Sequence, residues 1–129
     1  SLLYLESNQL TNIDVSSNSL LTVLDLSYNN IKTINLNSNK ELSQLHLDNN
    51  QLTNINLNSN KELSELYLGS NQLTNLDVSQ NINLTILKCY ENNIKVLNLK
   101  NNRKLKKLIC FGFCKIFLSS LSGKIPRAS

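Results

Sequence analysis

Methionine and tryptophan are absent from this 129-residue chain, which holds only one proline, one histidine, three glycines and three cysteines. Each scarcity excludes something. So little Gly and Pro beside abundant Leu, Ile and Val rules out a collagen-like, linker-like or disordered chain. No apolar run approaches ~18 residues, so no segment reads as a membrane span. Three unevenly placed cysteines are too few for a disulfide framework, and no C-x-x-C pair or neighbouring His offers a zinc site. There is no Ser/His/Asp set, no Gly-rich phosphate loop and no H-E-x-x-H motif. Catalysis, a metal or a cofactor is therefore not expected. With no Met and a first residue that falls inside a repeat, the chain reads as a piece of a longer protein.

What is present is one sentence said repeatedly. A 21-residue unit, L-x-x-L-x-L-x-x-N-x-L-x-x-L-x-L-x-x-N-x-x, begins at Leu21, Leu42, Leu63 and Leu84. Ser1 falls on its second position, and a further copy starts at Leu105 and fails after Cys110. Such an array stacks supersecondary units that cannot bury their apolar faces alone, and it presents a surface rather than a pocket. Within each half, L-x-L alternates with period two, the pattern of a short half-buried strand. The second half repeats it at Ile34 and Leu36, Ile55 and Leu57, Leu76 and Val78, Leu97 and Leu99. No stretch carries a helical stripe. The predicted fold is a mainly β repeat solenoid with parallel strands, two short ones per turn, stacked about 4.8 Å apart, and little or no helix.

Two asparagine columns punctuate the turns: Asn8, Asn29, Asn50, Asn71 and Asn92, then Asn18, Asn39, Asn60, Asn81 and Asn102. Turned inward, an amide can satisfy backbone groups exposed where the chain bends, and stacked amides can bond one another. These columns are read as scaffold. Cys89 and Cys110 take the sixth position, held by Leu5, Leu26, Leu47 and Leu68 elsewhere, so they read as small buried hydrophobes. A bridge between adjacent rungs is conceivable at a spacing of about 5 Å.

The net charge of +4 hides a division: residues 1–87 carry three Lys and eight acids, residues 88–129 ten Lys/Arg and only Glu91. The basic residues lack the Gly and aromatic interleaving of nucleic-acid modules, so the basic end is read as solvated and no nucleic acid is expected.

The L-x-x-L-x-L-x-x-N-x-L core resembles that of leucine-rich repeat proteins in five consecutive copies, over about residues 1–110. Its nested 21-residue form is similar to the short bacterial class sometimes called IRREKO. NQLTNLDVSQN (71–81) and LTILKCYENN (84–93) are similar to repeats of secreted or surface proteins from Bacteroidetes-like bacteria. The resemblance implies a right-handed solenoid whose sheet face binds a protein or carbohydrate, on a secreted or cell-surface protein.

Residues 111–129 depart from the pattern. Phe111, Cys114, Ile116, Ser119 and Leu121 still fit L-x-x-L-x-L-x-x-N-x-L spacing with Ser for Asn, suggesting a slipped final rung. The expectation is an apolar strand capping the last rung, with 122–129 loose.

Side chains beside the first L-x-L should point outward in columns: Tyr4, Asp25, His46, Tyr67, Lys88; then Glu6, Ser27, Asp48, Gly69, Tyr90; then Ser7, Tyr28, Asn49, Ser70, Glu91. These vary from copy to copy while the core does not, and they include all four Tyr and the only His. Tyrosine combines large contact area with a polar tip, which suits recognition. The candidate ligand-binding set is Tyr28, His46, Tyr67, Tyr90, Asp25, Asp48 and Glu91. The expected role is non-enzymatic recognition of a protein or glycan; the alternative is a structural spacer within a larger surface protein. The open ends of the stack suggest end-to-end self-association.

Overall fold

In the computed structural model, residues 1–111, 115–118 and 127–128 are described. Among the described residues nine short strands follow one another: β1 (Leu2–Tyr4), β2 (Val23–Asp25), β3 (Gln44–His46), β4 (Glu65–Tyr67), β5 (Ile86–Lys88), β6 (Val96–Leu99), β7 (Lys107–Ile109), β8 (Lys115–Leu118) and β9 (Arg127–Ala128). There is no helix among the described residues. One seven-stranded sheet runs β1-β2-β3-β4-β5-β7-β9, and every pairing in it is parallel. From β1 to β7 the register advances by one repeat, Leu3 against Leu24, Leu45, Leu66, Leu87 and Leu108 in turn.

The period-two reading of the first half explains this sheet. Leucines at the fourth and sixth positions point in and are buried, as Leu24, Leu26, Leu45, Leu47, Leu66 and Leu68 show. The second half keeps the same alternation, with Leu36, Leu57, Val78 and Leu99 buried. Among the described residues it pairs as strand only in the β6–β8 ribbon; elsewhere it is extended chain and turn. An Asp or Asn at the fifteenth position takes the backbone N–H two residues on: Asp14 that of Ser16, Asn35 that of Asn37, Asn56 that of Asn58 and Asp77 that of Ser79. These Asx turns stabilise each return segment from within itself.

The first asparagine column stitches rung to rung. Asn50 Nδ2 donates to the carbonyls of Leu26, one rung before, and of Leu47 and Asp48, while its Oδ1 accepts from Ile31 N. In the second column, Asn60 Nδ2 donates to the Leu36 and Asn39 carbonyls of the preceding turn, at 3.0 and 2.9 Å. Its Oδ1 is buried without a hydrogen-bond partner, as are those of Asn39, Asn81 and Asn102. The anticipated amide-to-amide bonding is therefore replaced, in both columns, by amide-to-backbone bonding. The carbonyls left open where strands end are the stronger need. A hydroxyl column adds to this: Thr22, Ser43, Ser64 and Thr85 donate to the carbonyls of Ser1, Thr22, Ser43 and Ser64.

The last turn is two residues short. Ile116 and Leu118 register with Leu97 and Leu99, nineteen residues earlier, and Arg127 registers with Leu108 at the same interval. Ile116 thus extends the second-half column, not the first-half position that the slipped frame gave it, and it packs on the core with Leu118. Arg127–Ala128 pairs with β7 instead of lying loose, because the shortened turn returns the chain to the sheet edge. Cys114, Ser119 and Leu121, and the rest of the stretch expected to be loose (122–126 and 129), lie outside the described residues.

Candidate functional site

The solvent face of the large sheet is built from the positions that alternate with the buried leucines. Its centre is a stack: the His46 and Tyr67 rings lie parallel, 4.3 Å between centroids and 6° apart. Lys88 Nζ sits 5.3 Å from the Tyr67 centroid. All three occupy the fifth position on β3, β4 and β5, so strand register alone brings them together. Tyr67 Oη donates to Glu65 Oε1 at 2.6 Å. Burial first, then this bond and the charges of Glu65 and Asp48, raise the Tyr67 pKa well above the ordinary phenol value. The hydroxyl stays a proton donor across the physiological range.

Beside that stack, the Tyr90 ring lies over Gly69. A Cβ added at Gly69 would come within 2.3 Å of Tyr90 Cζ, so glycine is the side chain that admits the ring there. The other neighbour of Tyr90 is Phe111, 5.7 Å away and tilted by 49°. Burial, then the charge of Asp48, raises the Tyr90 pKa too. Asp48 Oδ1 accepts from Gly69 N across the rung, at 2.8 Å. Desolvation nonetheless raises the Asp48 pKa, outweighing the Gly69 bond and the attraction of His46 and Lys88.

Asp25 is held by its own turn, accepting from Ser27 N at 3.0 Å and Ser27 Oγ at 2.6 Å. Glu91 accepts from Ser70 Oγ one rung earlier. The corner that ends each sheet segment is left-handed at Ser7, Tyr28, Asn49, Ser70 and Glu91, with φ between 51° and 59°. A non-glycine residue in this region costs on the order of 1–2 kcal/mol. Here the cost recurs on five rungs because the chain must turn sharply to bring the next Asn inward. Tyr28, 60% exposed, projects from that corner, within electrostatic reach of Tyr90. Of the seven candidate residues, then, His46, Tyr67, Tyr90 and Asp48 form one neighbourhood. Glu91 flanks it, and Asp25 and Tyr28 lie toward the first rungs.

The three outward columns omit one that belongs to the same face. The third position, Leu2, Val23, Gln44, Glu65, Ile86 and Lys107, alternates with the fifth and seventh on these strands. Period two held the signal for it, and Glu65 is the residue whose absence from the candidate set matters most. Phe111, 42% exposed, continues the seventh column beyond Tyr90. Among the described residues no group of three or more His, Cys, Asp or Glu side chains could hold a metal ion, and no helix is long and apolar enough to cross a membrane.

No family model and no curated protein matches this chain. Solved structures do. The functional domain of InlJ from Listeria monocytogenes, which includes a cysteine ladder, is 30% identical with a TM-score of 0.76 over 92% of this chain and 29% of its own. An internalin (inlF) from the same organism superposes with a TM-score of 0.75 at 20% identity, over 99% of this chain and 47% of its own. TLR13, in complex with ssRNA13, gives 33% identity and a TM-score of 0.67 over 95% of this chain and 20% of its own. The chain thus spans less than half the length of each of these three proteins. Its own sixth position places Cys89 and Cys110 on adjacent rungs, both buried in the core.

Proposed function

Because the chain is a leucine-rich repeat solenoid, we propose that it is a non-enzymatic binding module whose partner is a protein, engaged by the solvent face of the seven-stranded sheet. The observation that carries this is the packing of the aromatic rings. Tyr67 has His46 on one side and Lys88 near its ring, and Tyr90 lies between Gly69 and Phe111. A sugar binds aromatic residues by lying flat on a free ring face, and one face of Tyr67 is taken by His46. Around the rings stand a Lys and several carboxylates, which suits the mixed polar and apolar surface of a protein.

TLR13 was solved in complex with ssRNA13, which makes a nucleic acid the second class of partner to weigh for this face. Against that, the outward positions of the first four rungs carry Glu6, Asp25, Asp48 and Glu65 and no Lys or Arg. Those carboxylates repel a phosphate backbone. A secreted or cell-surface location, and a bacterial source, belong to the same proposal and rest on the family resemblance; fractionating cells that express the full-length protein tests the location.

Quantitative pull-down with the wild-type chain and a Tyr67→Ala/Tyr90→Ala variant tests the function. A partner retained by the wild type and lost by the variant supports it. Retention by both removes the face from consideration, and displacement by oligosaccharide instead of protein moves the reading to a glycan. No partner at all favours the structural spacer.

A further inference from the structure

The sheet face is electrically polar along the stack. Four of its five acids, Glu6, Asp25, Asp48 and Glu65, lie on the first four rungs, with Glu91 at the corner after β5, and its lysines, Lys88 and Lys107, on β5 and β7. We infer that a second copy of this chain docks on this face with its rungs in reverse order, forming a weak symmetric dimer. This rests on the reading of the face as a protein-binding surface and names one partner for it.

The geometry follows from the register. A twofold axis parallel to the strands, over the gap between β3 and β4, keeps each residue's position along its strand and reverses the rungs. It sets β2 opposite the other copy's β5 and β3 opposite β4. Asp25 then faces Lys88, twice by symmetry. At the corner Tyr28, exposed and able to donate its hydroxyl proton, faces the Glu91 carboxylate. In this register no acid opposes an acid and no lysine a lysine. The alternative twofold, along the stack, would set Asp25 against Asp25 and Lys88 against Lys88, a like-charge juxtaposition that opposes docking. A twofold interface requires a self-complementary patch, and one reversed in charge from end to end meets that requirement.

Sedimentation equilibrium on the intact chain, at concentrations up to about 1 mM, tests the inference, since a face of this size supports only weak association. The expected result is an apparent mass rising from 14.6 kDa toward twice that value, less steeply in high salt. Asp25→Lys and Lys88→Asp should each weaken self-association roughly tenfold or more, and an equimolar mixture should restore it, because both facing pairs again have opposite charge. Circular dichroism confirms that each variant is folded. A mass that stays monomeric overturns the inference, as do single variants that associate like wild type or a mixture that fails to recover. Contact through the open ends of the stack would give the last two results. None of these outcomes touches capture of a foreign partner, which the Tyr67→Ala/Tyr90→Ala variant reads separately.

Discussion

On the sheet side of the solenoid, outward side chains differ from rung to rung and engage one another across rungs. His46 stacks on Tyr67, Tyr90 covers Gly69, Asp48 takes the Gly69 N–H and Ser70 bonds Glu91. On the return side they repeat, Asp14, Asn35, Asn56, Asp77 and Asn98, and each bonds the backbone two residues further along its own turn. The scaffold explains the return side fully: an Asx turn needs an Asp or Asn, and that is what recurs. It requires no particular residue at the outward sheet positions. Their variation, their aromatic content and their segregated charge are where function can be written.

The largest effect should come from beneath both sides. Leu66 is fully buried, so Leu66→Asp should lower stability by on the order of 4 kcal/mol, read as a shift in urea midpoint. Next, the two asparagine columns should separate. Asn50→Ala strands an N–H and several carbonyls, whereas Asn60→Ala loses two bonds and also removes an unpartnered Oδ1. The expected costs are about 3 and about 1–2 kcal/mol by the same measurement, and equal costs would contradict the ranking.

Much of this was legible beforehand, for identifiable reasons. The columns led by Leu24, Leu26 and Asn29 follow from spacing, since every rung reports the same inward positions. The outward direction of Tyr67 and Tyr90 follows from period two, which should also have flagged Glu65. That one half of each turn pairs as sheet and the other mostly does not was hidden, because Leu36 and Leu26 alternate with their neighbours in the same way. The left-handed corner at Tyr28 and Glu91 was hidden too: nothing in a Tyr or a Glu announces positive φ, and glycine, the usual sign, is absent there. Tyr90 over Gly69 depends on two columns meeting, which one rung's pattern does not reveal.

Smaller effects sharpen the contrast between the two sides. Burial raises the Asp48 pKa above the ordinary carboxylate value, while bonds from the Ser79 side chain and backbone lower that of Asp77 below it. The signs then oppose. As pH falls from about 5, Asp77 loses its contribution to stability, because the unfolded chain takes up the proton first. Asp48 gains, because the folded chain takes it up first. Carboxyl NMR titration should therefore find Asp48 protonating at the higher pH; the reverse order would contradict the assigned environments. At the corner, the smallest effect belongs to a glycine replacement. Ser70→Gly should be close to neutral in thermal unfolding, and Ser70→Val should cost about 1–3 kcal/mol more than Ser70→Gly, since a β-branched side chain fits poorly at a φ of 56°.

The most direct test sets one face against the other in a single binding measurement. Wild type, the sheet-face variant Tyr67→Ala/Tyr90→Ala and the return-face variant Asn56→Ala/Asn98→Ala, each shown to be folded, are compared for retention of the same protein partner. Loss confined to the sheet-face variant is the predicted result. Loss confined to the return-face variant would contradict it.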